Sequence, residues 1–397
     1  MTYAAGRLIH DADSHIMELD GCLDPWMEQR HLTAFHALPI YQRKLSPQGW
    51  SDPFRRKHED PAFRAGDADN LLLRKNYDAL GAFRRDDRPK AIDLFGFASQ
   101  LVFTTFCLGN FGLDESGDLE LCYAAASAHN RMMTDFCSAD RRLLATAYVP
   151  LVDFERAAAT AREAIELGAK ALLVPSRCPP GHSPSHIGFD PIWAMSQEAG
   201  LPILFHVGGE EKLHADYFEN GLPRVKDFPG GEENFTSVSF MAIPGSVMQS
   251  LACLILDGVM DRFQRLKFGA IELGASWLPG WMRFMDSAAQ AFVKNEERLH
   301  RLSAAPSEIV RRQVRATPYP HEDAAWIIAN AGEEVCLFSS DFPHVEGGRN
   351  PLKRFDDSLA GASDTARARF YADNFIDLMG EGLAEDLRRP AVAAKAA

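Results

Sequence analysis

Five ionisable side chains stand at or just past the ends of hydrophobic runs. Asp13 and His15 follow the run "RLIHDAD", His206 closes "PILFHVGG", Glu272 lies in "LKFGAIELG", and Asp341 ends "EVCLFSSD". A spacing of two puts the Asp13 and His15 side chains on the same side of an extended strand. Two imidazoles with two carboxylates form a mixed nitrogen and oxygen donor set that suits a divalent transition metal. Asp13, His15, His206 and Asp341 are therefore the candidate ligands. Glu272 adds a carboxylate that is either a further ligand or a general base. Each residue taken singly also has an ordinary structural reading. A histidine in an apolar strand is often a satisfied core residue, an Asp before Phe-Pro often caps a turn, and "DADSH" resembles a helix cap. Their joint occurrence at strand ends is what argues for a metal.

Around this set stand weaker candidates. His344, three residues past Asp341, is a candidate proton shuttle or substrate contact, with a structural turn as the alternative. Arg177, in "VPSRCPPG", follows a strand and is placed to meet an anion, although a surface loop arginine is the commoner case. Glu18 is a candidate to orient His15, because metal-bound imidazoles donate their second nitrogen to an acceptor. His10 and Asp11 read as bystanders.

The elements that must position these residues alternate. Apolar runs at 7–13, 98–105, 143–150, 169–176, 202–209, 266–274 and 334–341 read as strands, and 310–319 as a more polar eighth. Between them lie amphipathic helices such as 153–168, with Asp153 as cap and Gly168 as stop. Nearly continuous apolar strands separated by helices imply parallel strands covered on both faces. Eight such units predict an α/β fold, a (β/α)8 TIM barrel, whose chemistry lies at the C-terminal strand ends. Residues 1–385 read as a single domain. Residues 20–95, rich in Pro, Arg, Asp and aromatics, are far too long for a βα loop and predict a helical insertion capping the barrel mouth. Residues 210–245 are turn-rich and are expected at the same mouth, and 386–397 read as a disordered tail.

The composition excludes several classes. A net charge of −13 with dispersed basic residues argues against nucleic acid as a partner. Hydropathy predicts no membrane-spanning run and no signal peptide, so the expectation is a cytoplasmic protein with no membrane partner. Seven scattered cysteines without a C-x-x-C pair fit neither a disulfide framework nor a zinc knuckle.

"DADSHIMEL", "LFHVGG" and "SSDFPHVEGG" together resemble the amidohydrolase superfamily, specifically the amidohydrolase-2 branch that contains aminocarboxymuconate-semialdehyde decarboxylase. The resemblance spans roughly 7–380 and is poor over 20–95. It implies that Asp13 and His15 form the first-strand metal pair, that His206 is a ligand, and that Asp341 binds the metal or its water and moves protons. Arg283 matches the position of a family arginine that contacts a substrate carboxylate, in some members across a dimer interface, so a homodimer or higher homo-oligomer is expected. Where family decarboxylases carry a catalytic His, this chain has Glu272. No lysine ends the fourth strand where binuclear relatives carry a carbamylated one, and Lys170 lies at that strand's start, so one metal is expected, Zn or Mn, with Fe as a third choice. The expected activity is non-oxidative decarboxylation of a small aromatic or unsaturated carboxylic acid. The alternatives are a metal-dependent hydrolase of an amide, ester, lactone or carbon–carbon bond, a hydratase, and an inactive barrel that only binds.

Overall fold

The computed structural model describes residues 2–42, 44–223 and 236–388. The tail expected over 386–397 falls outside the described residues from 389 onward, as do residues 224–235 of the 210–245 insertion. Seven strands lie side by side in chain order: β1 (His10–His15), β2 (Ser99–Phe103), β3 (Leu143–Tyr148), β4 (Ala171–Leu173), β5 (Ile203–His206), β6 (Phe268–Ile271) and β7 (Val314–Ala316). Every neighbouring pair is parallel. All their residues are buried, as expected where helices cover one face and strand side chains fill the other.

The polar run at 310–319 yields only the three residues of β7, because 310–313 belong to the helix Pro306–Gln313. The apolar run at 334–341 forms no regular strand. It still makes backbone bonds on both sides: Ala316 N–H donates to Val335 O at 2.7 Å, Ala12 N–H to Phe338 O at 3.0 Å, and His15 N–H to Phe342 O at 2.6 Å. Two features interrupt its extension. Asp11 draws in the backbone N–H and hydroxyl of Ser340, and Asp341 takes a left-handed φ of 51°. The curled sheet with this linking segment is TIM-barrel-like.

Two cores flank the sheet. Inside the curl, Ala12, Leu101, Phe103, Leu144, Leu173, Leu204 and Ile271 pack together, plugged by Phe375, Leu378 and Met379 from the last helices. Outside, helices pack their apolar faces on the strands. The helix Phe154–Leu167 is capped by Asp153, whose side chain accepts from Arg156 N–H, and it ends at Gly168 with φ 92°, as its sequence predicts. Among the described residues one stretch, Ser237–Leu256, is long and apolar enough to cross a membrane by length and composition, against expectation. It divides at Pro244 into two helices, and Val247, Leu251, Leu254 and Ile255 are buried in the outer core.

Residues 20–95 form short helices and turns, then the helix Arg88–Phe95, which leads into β2. This insertion is tied to the backbone that follows β1. Tyr77 OH donates to Glu18 O at 3.1 Å, Arg88 Nη1 to His15 O at 3.0 Å, and Asn76 N–H to Pro343 O at 2.9 Å. All seven cysteines are free thiols, four of them buried.

Candidate metal centre

A register shift in β1 aims the first ligands. His10 and Asp11 pair with Ser99 and Gln100, yet Ser14 and His15 pair with Val102 and Phe103, so one extra residue is inserted between Asp11 and Ser14. Strand alternation alone would place Ala12 and His15 on opposite faces. The bulge re-phases the strand, and Ala12 packs in the interior while the His15 ring also meets the interior residue Phe103.

Backbone carbonyls fix both imidazoles. His15 Nδ1 lies 2.8 Å from Thr104 O, and His206 Nδ1 lies 3.0 Å from Val207 O, so in each ring Nδ1 is the donor and Nε2 is presented to the centre. Glu18 does not orient His15, as Thr104 O takes that role. Its carboxylate accepts instead from the backbone N–H groups of Thr105, Phe106 and Cys107.

Donor atoms of Asp13, His15, His206 and Glu272 all lie within 4.8 Å of one another. His15 Nε2 is 3.2 Å from Asp13 Oδ1 and 3.6 Å from Glu272 Oε2, and His206 Nε2 is 3.4 Å and 3.3 Å from the same two atoms. Asp341 stands one step away, in a second group with His15, Glu272 and His344. Its Oδ1 is 3.7 Å from His15 Nε2 and 2.9 Å from His344 Nδ1. Glu272 thus occupies the position beside Asp13 and His206 that the sequence pattern gave to Asp341.

Both outer carboxylates sit on strained backbone. Glu272 has φ 54° and Asp341 has φ 51°, a region that residues other than glycine enter at an energetic cost. For Glu272 the conformation is held by Thr317, which accepts its N–H at 2.8 Å, and by the Tyr319 hydroxyl, which donates to its carbonyl at 2.6 Å.

The electrostatics call for a cation. Burial, then the charges of Asp341 and Asp13, push the Glu272 carboxyl well above its ordinary value. Burial opposes ionisation of Asp13 too, but His15 and His206 outweigh it and hold that carboxyl low. His15 Nε2 is fully buried and has no hydrogen-bond partner. Three converging carboxylates and an orphaned imidazole nitrogen are what a divalent ion would satisfy. The residues present fit a metal.

The His344 ring lies against His15, tilted 34° with centroids 4.0 Å apart, and its Nε2 lies 2.8 Å from the Thr105 hydroxyl. Burial and His15 act to lower the His344 pKa, but Asp341 and Glu272 outweigh them and raise it. Asp13, Glu272 and Asp341 line a small cleft with Tyr319, Ser339 and Glu346.

The two candidate arginines do not join this group. Arg177 is buried past β4, where its Nε lies 3.2 Å from Glu115 Oε1. Arg283 is exposed on the helix Leu278–Phe292 and makes no ion pair among the described residues. The sequence pattern missed Lys75, from the insertion, whose Nζ is buried without a hydrogen-bond partner and feels the charges of Asp341 and Glu346. Nothing in the charged run "LLLRKNYD" marks it, since its environment is made by residues far along the chain.

No curated protein sequence matches the chain. Solved structures do. An amidohydrolase from Mycobacterium avium subsp. paratuberculosis is 23% identical with a TM-score of 0.71, covering 94% of this chain and 99% of that one. The 5-carboxyvanillate decarboxylase of Novosphingobium aromaticivorans, solved with manganese and 3-methoxy-4-hydroxy-5-nitrobenzoic acid, is 19% identical with a TM-score of 0.61, covering 95% and 99%. The 2,6-dihydroxybenzoate decarboxylase from Rhizobium is 15% identical with a TM-score of 0.59, covering 94% and 98%. The family description "Amidohydrolase" matches residues 78–378, most of the chain, and the protein therefore belongs to the amidohydrolase-2 branch of the metal-dependent amidohydrolase superfamily.

Proposed function

We propose that the protein is a non-oxidative decarboxylase of a small aromatic carboxylic acid, working with one divalent metal, manganese or zinc. Asp13, His15, His206 and Glu272 would hold the ion. Bound there, it supplies Lewis acidity that withdraws electron density through a substrate oxygen. The neighbouring decarboxylases, two of them solved with manganese and aromatic ligands, support the substrate class.

The observation that carries the reading is the Asp341–His344 pair, 2.9 Å apart at the edge of the ligand group. Decarboxylation of an aromatic acid needs an acid that protonates the ring carbon before CO2 leaves. Buried beside two carboxylates, His344 is disposed to hold a proton, and Asp341 is its only hydrogen-bonded carboxylate among the described residues. Asp341 passes that proton to the carbon bearing the carboxylate. The carbon–carboxylate bond then breaks, its electron pair restores the ring, and CO2 departs.

One observation favours a second reading, hydrolysis. Glu272 stands where family decarboxylases carry a histidine, and a carboxylate there is suited to take a proton from water while Asp341 and His344 protonate the leaving group. Incubating the manganese-loaded protein with hydroxybenzoates and measuring CO2 separates the readings. No CO2, together with turnover of neutral lactones or esters, would reject decarboxylation in favour of hydrolysis.

The same reading takes 335–342 as the eighth strand of a closed (β/α)8 barrel, supported by its bonds to β7 and β1. It takes 20–95 as the cap, supported by the Asn76–Pro343 bond beside Asp341. A homodimer that uses the exposed Arg283 and Phe284 face of the helix Leu278–Phe292 belongs to this proposal as well.

A further inference from the structure

The charges around the cleft do not balance for an anionic substrate. Asp13, Glu272, Asp341 and Glu346 all line it. A divalent ion offsets two of these charges, so a substrate carboxylate needs a further cation. Arg177 is engaged by Glu115, and Arg283 lies exposed on an outer helix.

Lys75 meets the requirement. Its Nζ is buried and has no hydrogen-bond partner, and the charges that act on it are the carboxylates of Asp341 and Glu346. The local chain dictates where it lies. Lys75 is extended, with φ −124° and ψ 160°. Its neighbour Arg74 pairs with Asp67, 2.7 Å away, and lies over Phe63 at 3.7 Å. The next residue, Asn76, adopts a left-handed φ of 50°, a conformation asparagine tolerates better than most. Its N–H bonds to Pro343 O at 2.9 Å, two residues past Asp341, while Tyr77 OH is bonded to Glu18 O. The insertion is thus tied to the segments that follow Asp341 and His15, immediately after Lys75. A buried ammonium that lacks acceptors is unfavourable unless something completes it.

We propose that Lys75 is the anion-binding and specificity-determining residue of this site, receiving the carboxylate of the substrate beside Asp341. The proposal rests on the decarboxylase reading for its substrate class, but its test reads binding and needs no turnover.

The test is calorimetric titration of the manganese-loaded full chain with benzoate and 2-hydroxybenzoate, against the neutral probes benzamide and phenol. Lys75→Met should weaken both acids by about 10- to 100-fold, the range of one charge-assisted hydrogen bond, and leave the neutral probes unchanged. Lys75→Arg should retain most of the acid affinity. Manganese stoichiometry and thermal unfolding of each variant establish that the centre and fold persist. A lysine that served only to neutralise Glu346 would give a different pattern, in which Glu346→Gln added to Lys75→Met restores acid binding. That restoration would overturn the proposal. So would equal weakening of acids and neutral probes, unchanged affinities, or absence of acid binding by the unaltered protein. If Lys75-dependent acid binding is found without CO2 release, the decarboxylase reading alone falls. CO2 release with no effect of Lys75 sinks this inference alone.

Discussion

His344 Nδ1 lies 2.9 Å from Asp341 Oδ1, and the far side of the same imidazole, Nε2, lies 2.8 Å from the Thr105 hydroxyl. The ring is therefore fixed at both nitrogens, and Asp341 is joined to it while remaining 3.7 Å from His15 Nε2. A carboxylate so placed can exchange a proton with the imidazole and still reach the cleft. Asp341→Asn should lower turnover by about 10²- to 10⁴-fold, the ordinary contribution of a positioned acid, while manganese content stays near that of the unaltered protein. His344→Gln should also slow turnover, with a smaller loss, because Asp341 can then be reprotonated by water. The check is CO2 release alongside elemental analysis. Loss of the metal in Asp341→Asn would mean that Asp341 is a ligand and not the proton carrier.

Glu272 is expected to be a ligand, because its Oε2 lies within 3.6 Å of both presented imidazole nitrogens. Glu272→Gln removes charge and keeps shape, and it should weaken manganese binding by about tenfold or more. Dialysis against a chelator should lower the melting temperature by a few degrees relative to protein held at 100 times the manganese Kd, where binding contributes about 2.7 kcal/mol. Electron paramagnetic resonance of bound manganese gives a second readout in the same samples. Unchanged affinity in Glu272→Gln would return the fourth ligand position to Asp341.

Much of this was legible in the sequence, and particular residues show where legibility stopped. Parallel strands between helices can be read from apolar runs, because strands buried on both faces cannot hide their composition. Asp13 and His15 end one such run and His206 another, and the structure brings them together. The β1 bulge left no mark, since nothing in "HDADSH" distinguishes an inserted residue from regular alternation. The order of Glu272 and Asp341 around the centre was likewise closed to sequence, because it depends on two left-handed backbone turns and on His344 drawing Asp341 outward. Arg283 was expected at the site from the resemblance to a family arginine, and Arg177 from its place just past a strand. Whether a charge faces the cleft, an outer surface or a nearby Glu115 is decided by tertiary packing alone.

Asp11, read from sequence as a bystander, is structural. Its carboxylate accepts from Ser340 N–H at 2.8 Å, Ser340 Oγ at 2.6 Å and Gln100 Nε2 at 2.8 Å, tying β1 to β2 and to the segment that carries Asp341. Asp11→Ala leaves these buried donors without partners, at about 1–3 kcal/mol each. The variant should melt several degrees lower and bind manganese more weakly. Asp11→Asn, which keeps one acceptor, should fall between the two. Differential scanning calorimetry is the measurement, and an unchanged melting temperature in Asp11→Ala would show that Asp11 does not tie these segments together.

Asp114 gives the fold a pH dependence away from the metal centre. Burial pushes its carboxyl up to about 6, against the pull of the Tyr148 hydroxyl that donates to it and of nearby Arg177. In the unfolded chain the same group titrates near its usual value of about 4. The folded chain therefore binds this proton more tightly. Stability should fall as pH rises from about 4 to 6, by at most about 3 kcal/mol for this group, and the deficit should be constant above that window. Asp114→Asn retains an acceptor for Tyr148 and removes the charge. It should raise the melting temperature at pH 8 and change it little at pH 4. Melting curves of both proteins across that range decide the matter, and a variant less stable at pH 8 would mean that the Asp114 charge is compensated by Arg177 and stabilises the fold.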